Sequence, residues 1–120
     1  MRTTMVDVTT GDGVADCYLA EPDGPGEHPA VLYFMDAFGP RPRAFAMADR
    51  VAEQGYTVLM PNLFYRSGRA PLLDLTGLDD PEQRSRIFGR IMPMAKALTP
   101  GAIARDAGAY LGFLSARDGV

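Results

Sequence analysis

The sequence predicts an α/β fold: an N-terminal β-hairpin, then a parallel βαβ unit, then C-terminal helices. Three observations carry this expectation. Residues 5–10 and 14–20 are strand-like runs around Gly11-Asp12-Gly13, and Asp-Gly between such runs signals a two-residue hairpin. Residues 29–35 and 56–61 are short apolar runs without alternation, the pattern of parallel strands covered on both faces. Between them, residues 42–54 place Ala44, Met47, Ala48, Val51 and Ala52 at helical spacing, and a strand–helix–strand unit of this length is parallel and right-handed by rule.

Each element has a local reason. Met5-Val6-Asp7-Val8-Thr9-Thr10 alternates and is rich in β-branched residues, which suits a half-buried strand. The return strand puts Ala15, Cys17 and Leu19 on one face, so Cys17 is expected to fill space as a small hydrophobe. Pro and Gly crowd residues 21–29 into a loop. His28 lies in that loop with no acid or thiol at an informative spacing, and a solvated position is expected. Gly55 is placed to close the first helix in a left-handed conformation.

Residues 62–80 form a long loop bearing Phe64, Tyr65, Arg66 and Arg69, and loops of that length in small domains are usually functional. Asp80-Pro81 and Thr99-Pro100 are each a cap followed by a proline at the first helical position. Pro93 is expected to kink or divide the helix that starts at Pro81. The last helix is expected to present Ile103, Ala107, Tyr110, Leu111 and Leu114 as its apolar stripe.

Composition narrows the function. The 120 residues suit one domain and carry a net charge of −3, with 47% hydrophobic and 22% charged residues, so wholesale disorder is excluded. Residues 1–60 hold 4 basic and 9 acidic side chains, and residues 61–120 hold 8 and 6. Neither half has the clustered basic face of a nucleic-acid binder. The longest apolar run, Ala30 to Met35, is six residues, too short for a membrane span. No signal-peptide h-region follows Met1, so a cytoplasmic location is expected. One Cys and one His exclude a disulfide framework and any metal cluster built on several such ligands. No metal and no cofactor is expected.

A complete catalytic system is also missing. A nucleophile on an α/β sheet sits on a glycine-flanked elbow between strand and helix. Ser67, Ser85, Ser115 and Cys17 all lack that setting, and no Gly-rich turn enters a helix as a phosphate loop would. What remains is a rim. Ligands of parallel sheets bind beyond the carboxyl ends of the strands, and Asp36 and Arg66 follow two such ends. This acid and this base are expected either to meet at one binding rim, bordered by Phe38, Phe64 and Tyr65, or to form a structural ion pair between two loops.

Taken together, Thr10-Gly11-Asp12-Gly13, the segment from Tyr18 to Pro22, Val31 to Gly39, Met47 to Ala52 and Gly55 to Arg66 resemble the dienelactone hydrolase family of α/β-hydrolases. The resemblance implies a partial α/β-hydrolase sheet and the hydrolysis of a small-molecule ester or lactone. Such enzymes use a Cys, less often a Ser, in a G-x-C-x-G-G elbow, with Asp and His further on. All three are expected beyond Val120, making residues 1–120 the N-terminal part of a single domain, inactive alone. The resemblance puts Asp36 where the family typically has a Glu beside the nucleophile, a longer side chain. It matches Arg66 to the arginine that pairs with that acid and receives a substrate carboxylate, and the Ala37 N–H to one oxyanion-hole donor. It also implies that a strand is missing beside residues 31–35, leaving a long, flat, apolar edge. The alternatives are a non-catalytic α/β module whose Asp36–Arg66 rim binds a small carboxylate, or one whose exposed sheet edge recruits a partner strand.

Overall fold

A computed structural model describes residues 1–120. Strands β1 (Arg2–Thr10) and β2 (Gly13–Glu21) form the hairpin. Thr10 pairs with Gly13, so Gly11 and Asp12 alone make the turn, one residue earlier than the Asp-Gly signal suggested. Strand β3 (Ala30–Leu32), helix α1 (Pro42–Ala52) and strand β4 (Thr57–Pro61) form the expected parallel unit. Helices α2 (Pro81–Ala97) and α3 (Pro100–Ala116) complete the chain. Asp80 accepts a hydrogen bond from the Glu82 amide and Thr99 from that of Ala102, so both helices carry the caps their sequences announce.

The sheet order is β1-β2-β4-β3, with β2 antiparallel to β4 and β3 parallel to it. Because successive side chains leave a strand on opposite sides, β2 and β4 feed two cores. On one face Val8, Ala15, Cys17, Leu19 and Leu59 pack with Tyr110 and Leu114 of α3. On the other, Ala20, Val58 and Met60 meet Ala44, Ala48 and Ala52 of α1. Cys17 is the buried space-filler its position implied.

Four expectations need correction. The strand over 29–35 is only three residues long, and its flank is half-buried rather than covered on both faces. It lies at the end of the sheet, where β4 alone defines it, and one further bond from the Tyr33 amide to Leu59 closes the pairing. The unpaired apolar edge is therefore short. Pro93 does not divide α2; it and Gly89, whose carbonyl loses its donor, both face solvent, where water replaces the missing bond. On α3 the inward stripe is Ala102, Asp106, Tyr110 and Leu114, while Leu111 is half-exposed. That stripe contains a charge, and the charge organises the candidate site. Met47, expected on the inner face of α1, is instead half-exposed because three alanines take the contact with the sheet.

Candidate functional site

The loop after β4 is built on two buried polar residues. The Asn62 side chain is completely buried and donates to Asp16 Oδ1 at 3.0 Å and to the Gly68 carbonyl at 2.9 Å. Its own oxygen accepts from the Phe64 amide at 3.0 Å, and Asp16 Oδ2 accepts from the Ala70 amide at 2.9 Å. These bonds satisfy backbone groups that would otherwise be lost at the strand end. They fold residues 65–67 into a single 3₁₀ turn, which sends Tyr65 into the α3 face of the sheet.

Arg66 lies over the Tyr65 ring, 4.6 Å from its centroid. Its guanidinium grips Asp106 with two parallel bonds, Nη1 to Oδ2 at 2.8 Å and Nη2 to Oδ1 at 3.0 Å. The other edge of the fork, Nε and Nη2, donates to Asp12 Oδ2 on the hairpin turn. Arg105 reaches the same Asp12 oxygen at 3.4 Å. The Tyr65 hydroxyl donates to Asp106 Oδ1 at 2.9 Å and lies 2.6 Å from the Thr10 hydroxyl, which also reaches the Gly13 carbonyl at 3.2 Å. The Asp106 hydrogen bonds, with Asp12 adding to them against the cost of burial, raise the Arg66 pKa above its usual value. Burial likewise lifts the Tyr65 phenol.

Asp36 belongs to a separate assembly. Arg41, the residue before α1, donates to both of its oxygens at 2.6 and 2.9 Å. The Phe38 amide adds a bond at 3.1 Å, and the Gly39 amide is taken by the Asp36 carbonyl. The Arg41 hydrogen bonds hold the Asp36 carboxyl below the usual carboxylate range, against a smaller opposing effect of burial. Of the three amides that follow Asp36, only that of Ala37 makes no hydrogen bond within the protein. An open groove of about 490 Å³ runs alongside, lined by Asp36, Phe38, Arg41, Arg43, Met47, Leu75 and Leu78.

Asp36 and Arg66 thus do not meet. Each strand end serves a different face of the sheet, and each charge finds an opposite charge there. The expected aromatic border separates in the same way. Phe64 and Tyr65 are buried in opposite cores, whereas Phe38 lines the groove, 5.8 Å from Phe88. Two residues singled out from the sequence are set aside. Cys17 has no exposure, and burial pushes its thiol up to about 12. His28 meets only the Gly24 carbonyl through its ring.

Sequence reasoning missed Arg41, Asp106 and Asn62. Asp106 left one signal: residues 102, 106, 110 and 114 recur at intervals of four, so a carboxylate there lies on a core-facing stripe.

Comparison with known proteins places this geometry in a family. A curated protein of Synechocystis sp. (strain ATCC 27184 / PCC 6803 / Kazusa), named "Putative carboxymethylenebutenolidase", is 30% identical over 66 residues, which are 55% of this chain and 27% of that one. The solved structure of m3DLH superposes with a TM-score of 0.72 at 24% identity, covering 99% of this chain and 45% of its own. The dienelactone hydrolase-like promiscuous phosphotriesterase P91, from metagenomic libraries, gives 0.64 at 25% identity, covering 100% and 46%. The chain therefore spans less than half the length of these relatives. The fold they share with it is that of the α/β-hydrolases. The sequence model of the dienelactone hydrolase family matches residues 15–120, and the chain belongs to that family.

Proposed function

We propose that these residues form the N-terminal part of a hydrolase domain that cleaves a small-molecule ester or lactone, with a Cys or Ser nucleophile, an Asp and a His supplied by residues outside this chain. One observation carries the reading beyond family membership: the Ala37 N–H makes no hydrogen bond within the protein, whereas the two amides after it are claimed, and it lies beside a groove with an ionised acid at its edge. A preorganised donor of this kind stabilises the oxyanion that forms when a carbonyl is attacked. In this reading Asp36 stands beside the nucleophile, fixed by Arg41, and Phe38 offers an aromatic wall to the substrate. Arg66, which the resemblance matches to a carboxylate-receiving arginine, is held by Asp106 and Asp12 away from this groove and is given no part in it.

Within the 120 residues no nucleophile–base pair is assembled. Cys17 is buried and His28 contacts no thiol or hydroxyl. The isolated chain is therefore expected to be inactive, and ester turnover above a Cys17→Ala/Ser67→Ala control contradicts the proposal. The positive test uses the complete reading frame that encodes these residues. Its product should hydrolyse an ester or lactone, and Ala37→Pro, which deletes the amide proton, should lower kcat by about 100-fold or more with little change in KM. A complete product without hydrolase activity overturns the reading.

A further inference from the structure

We propose that the free edge of β1 is a homodimer interface, on which a second copy of this chain lays its own β1 antiparallel to make one continuous sheet. The inference is independent of the hydrolase reading.

β1 is the outermost strand on its side of the sheet and pairs only with β2. The direction of its own bonding groups follows from the next strand over. The Asp16 carbonyl accepts from the Asn62 amide, so at the Asp7–Asp16 pair β2 bonds away from β1. That pair is a non-hydrogen-bonded one, and in an antiparallel ladder such pairs alternate with bonded ones. The N–H and C=O of Asp7 therefore point outward from the sheet edge, as do those of Thr3, Met5 and Thr9. All four residues are exposed. A row of such groups is a template for another strand unless something blocks it. Here the pairing with β2 runs through nine residues without a bulge, and the strand contains no proline and no lysine.

Self-complementarity selects the occupant. A two-fold axis perpendicular to the sheet keeps each face on its own side, so the outward groups of one copy meet those of the other. Centring the axis on Met5 sets Met5 opposite Met5 and Thr3 opposite Asp7, each pair exchanging two bonds. Thr4 then faces Val6, and Arg2 faces Val8. No like charges are opposed. The two Asp7 carboxylates lie four residues apart along the ladder, about 14 Å, each beside a Thr3 hydroxyl of the other copy and its own Arg69. Centring on Val6 instead would bring them within two residues, about 7 Å. The Met5 pair also covers a side chain that is 47% exposed. Because both copies use the same edge, the assembly closes at two.

The test measures the mass of the 120-residue chain by sedimentation equilibrium. At about 100 μM, well above a micromolar Kd, the chain should run at twice its 13.0 kDa and dissociate on dilution. Hydrogen exchange locates the contact. The amides of Thr3, Met5 and Asp7 should be slow in the dimer and fast in the diluted monomer, whereas those of Thr4 and Val6, bonded to β2, should be slow in both. Met5→Lys keeps the N–H but sets like charges opposite each other across the axis. Met5→Pro removes the central N–H at an edge position whose donor β2 does not use. Each variant should keep the far-UV circular dichroism of the parent and raise the dimer Kd by about tenfold or more. A chain that stays monomeric leaves the edge to a foreign strand or to none and overturns the proposal. So does a dimer that both variants leave intact, or one whose concentration-dependent protection falls on β3 instead of β1.

Discussion

Asp106 takes Arg66 by both ends of its fork, with bonds of 2.8 and 3.0 Å from a carboxylate that is almost fully buried. This pair fixes the 3₁₀ turn to α3 and closes one side of the strand-end rim. Removing the acid strands a positive charge at a mostly dry position. Asp106→Asn should lower the unfolding free energy by about 3 kcal/mol, the low end for breaking a buried pair, because Asp12 still faces Arg66. Urea denaturation of both chains measures it, and an unchanged midpoint would remove Asp106 from the structural account.

The hydroxyl of Tyr110 points the other way in sign. Tyr110 is fully buried and its oxygen has no hydrogen-bond partner. An unpaired polar atom in a core is a standing cost. Tyr110→Phe keeps the ring and should stabilise the fold by about 1 kcal/mol. A loss of stability in the same denaturation experiment would mean that the hydroxyl is bonded.

Glu21 sets an acid limit. Arg117 donates to its two oxygens at 3.1 and 2.9 Å and is the main reason its pKa falls below 4.5, with burial opposing. A depressed acid stabilises the fold fully above its unfolded pKa and loses that contribution as pH falls through the lower, folded value. Stability should hold from neutrality to roughly pH 5 and then decline. Glu21→Gln should be less stable at pH 6 but should flatten the part of the decline due to this residue. Parallel curves for the two chains between pH 6 and pH 2 would contradict this.

Cys17 should resist thiol reagents. Its thiol is buried and raised to about 12, and the thiolate is the reactive form. Labelling by iodoacetamide at pH 8 should wait for unfolding and speed up in urea along with the loss of structure. Rapid stoichiometric labelling of the native chain would refute the burial.

The hairpin, the βαβ unit and both capped helices were legible because their causes are local. Alternation, apolar runs and the Asp-Pro and Thr-Pro boundaries act over a few residues, and the chain obeys them. The pairing of Asp36 with Arg66 was not legible, since partner choice depends on which face of the sheet a side chain leaves. Tyr65 turns toward α3 and takes Arg66 with it, while Asp36 stays with Arg41 at the start of α1. The length of β3 was misread for a related reason. An apolar run suits a central strand, but the bonds that define a strand come from its neighbours, and β3 has only β4.

The three alanines of α1 have a consequence for how such a groove diversifies. With three methyl groups at the centre of the contact between helix and sheet, beside Phe45 stacked on Tyr18, a larger residue at any of the three positions would overpack it. Arg41, Arg43 and Met47 are therefore carried on a wall whose position is set by the shortest side chains available. The opposite wall, Leu75 and Leu78, comes from the stretch between the 3₁₀ turn and α2, which forms no helix or strand of its own. One side of the groove acts as a fixed jaw and the other as an exchangeable one. Changes in the size of molecule accepted should accumulate around residues 72–78, leaving the arginine that steadies Asp36 where it is.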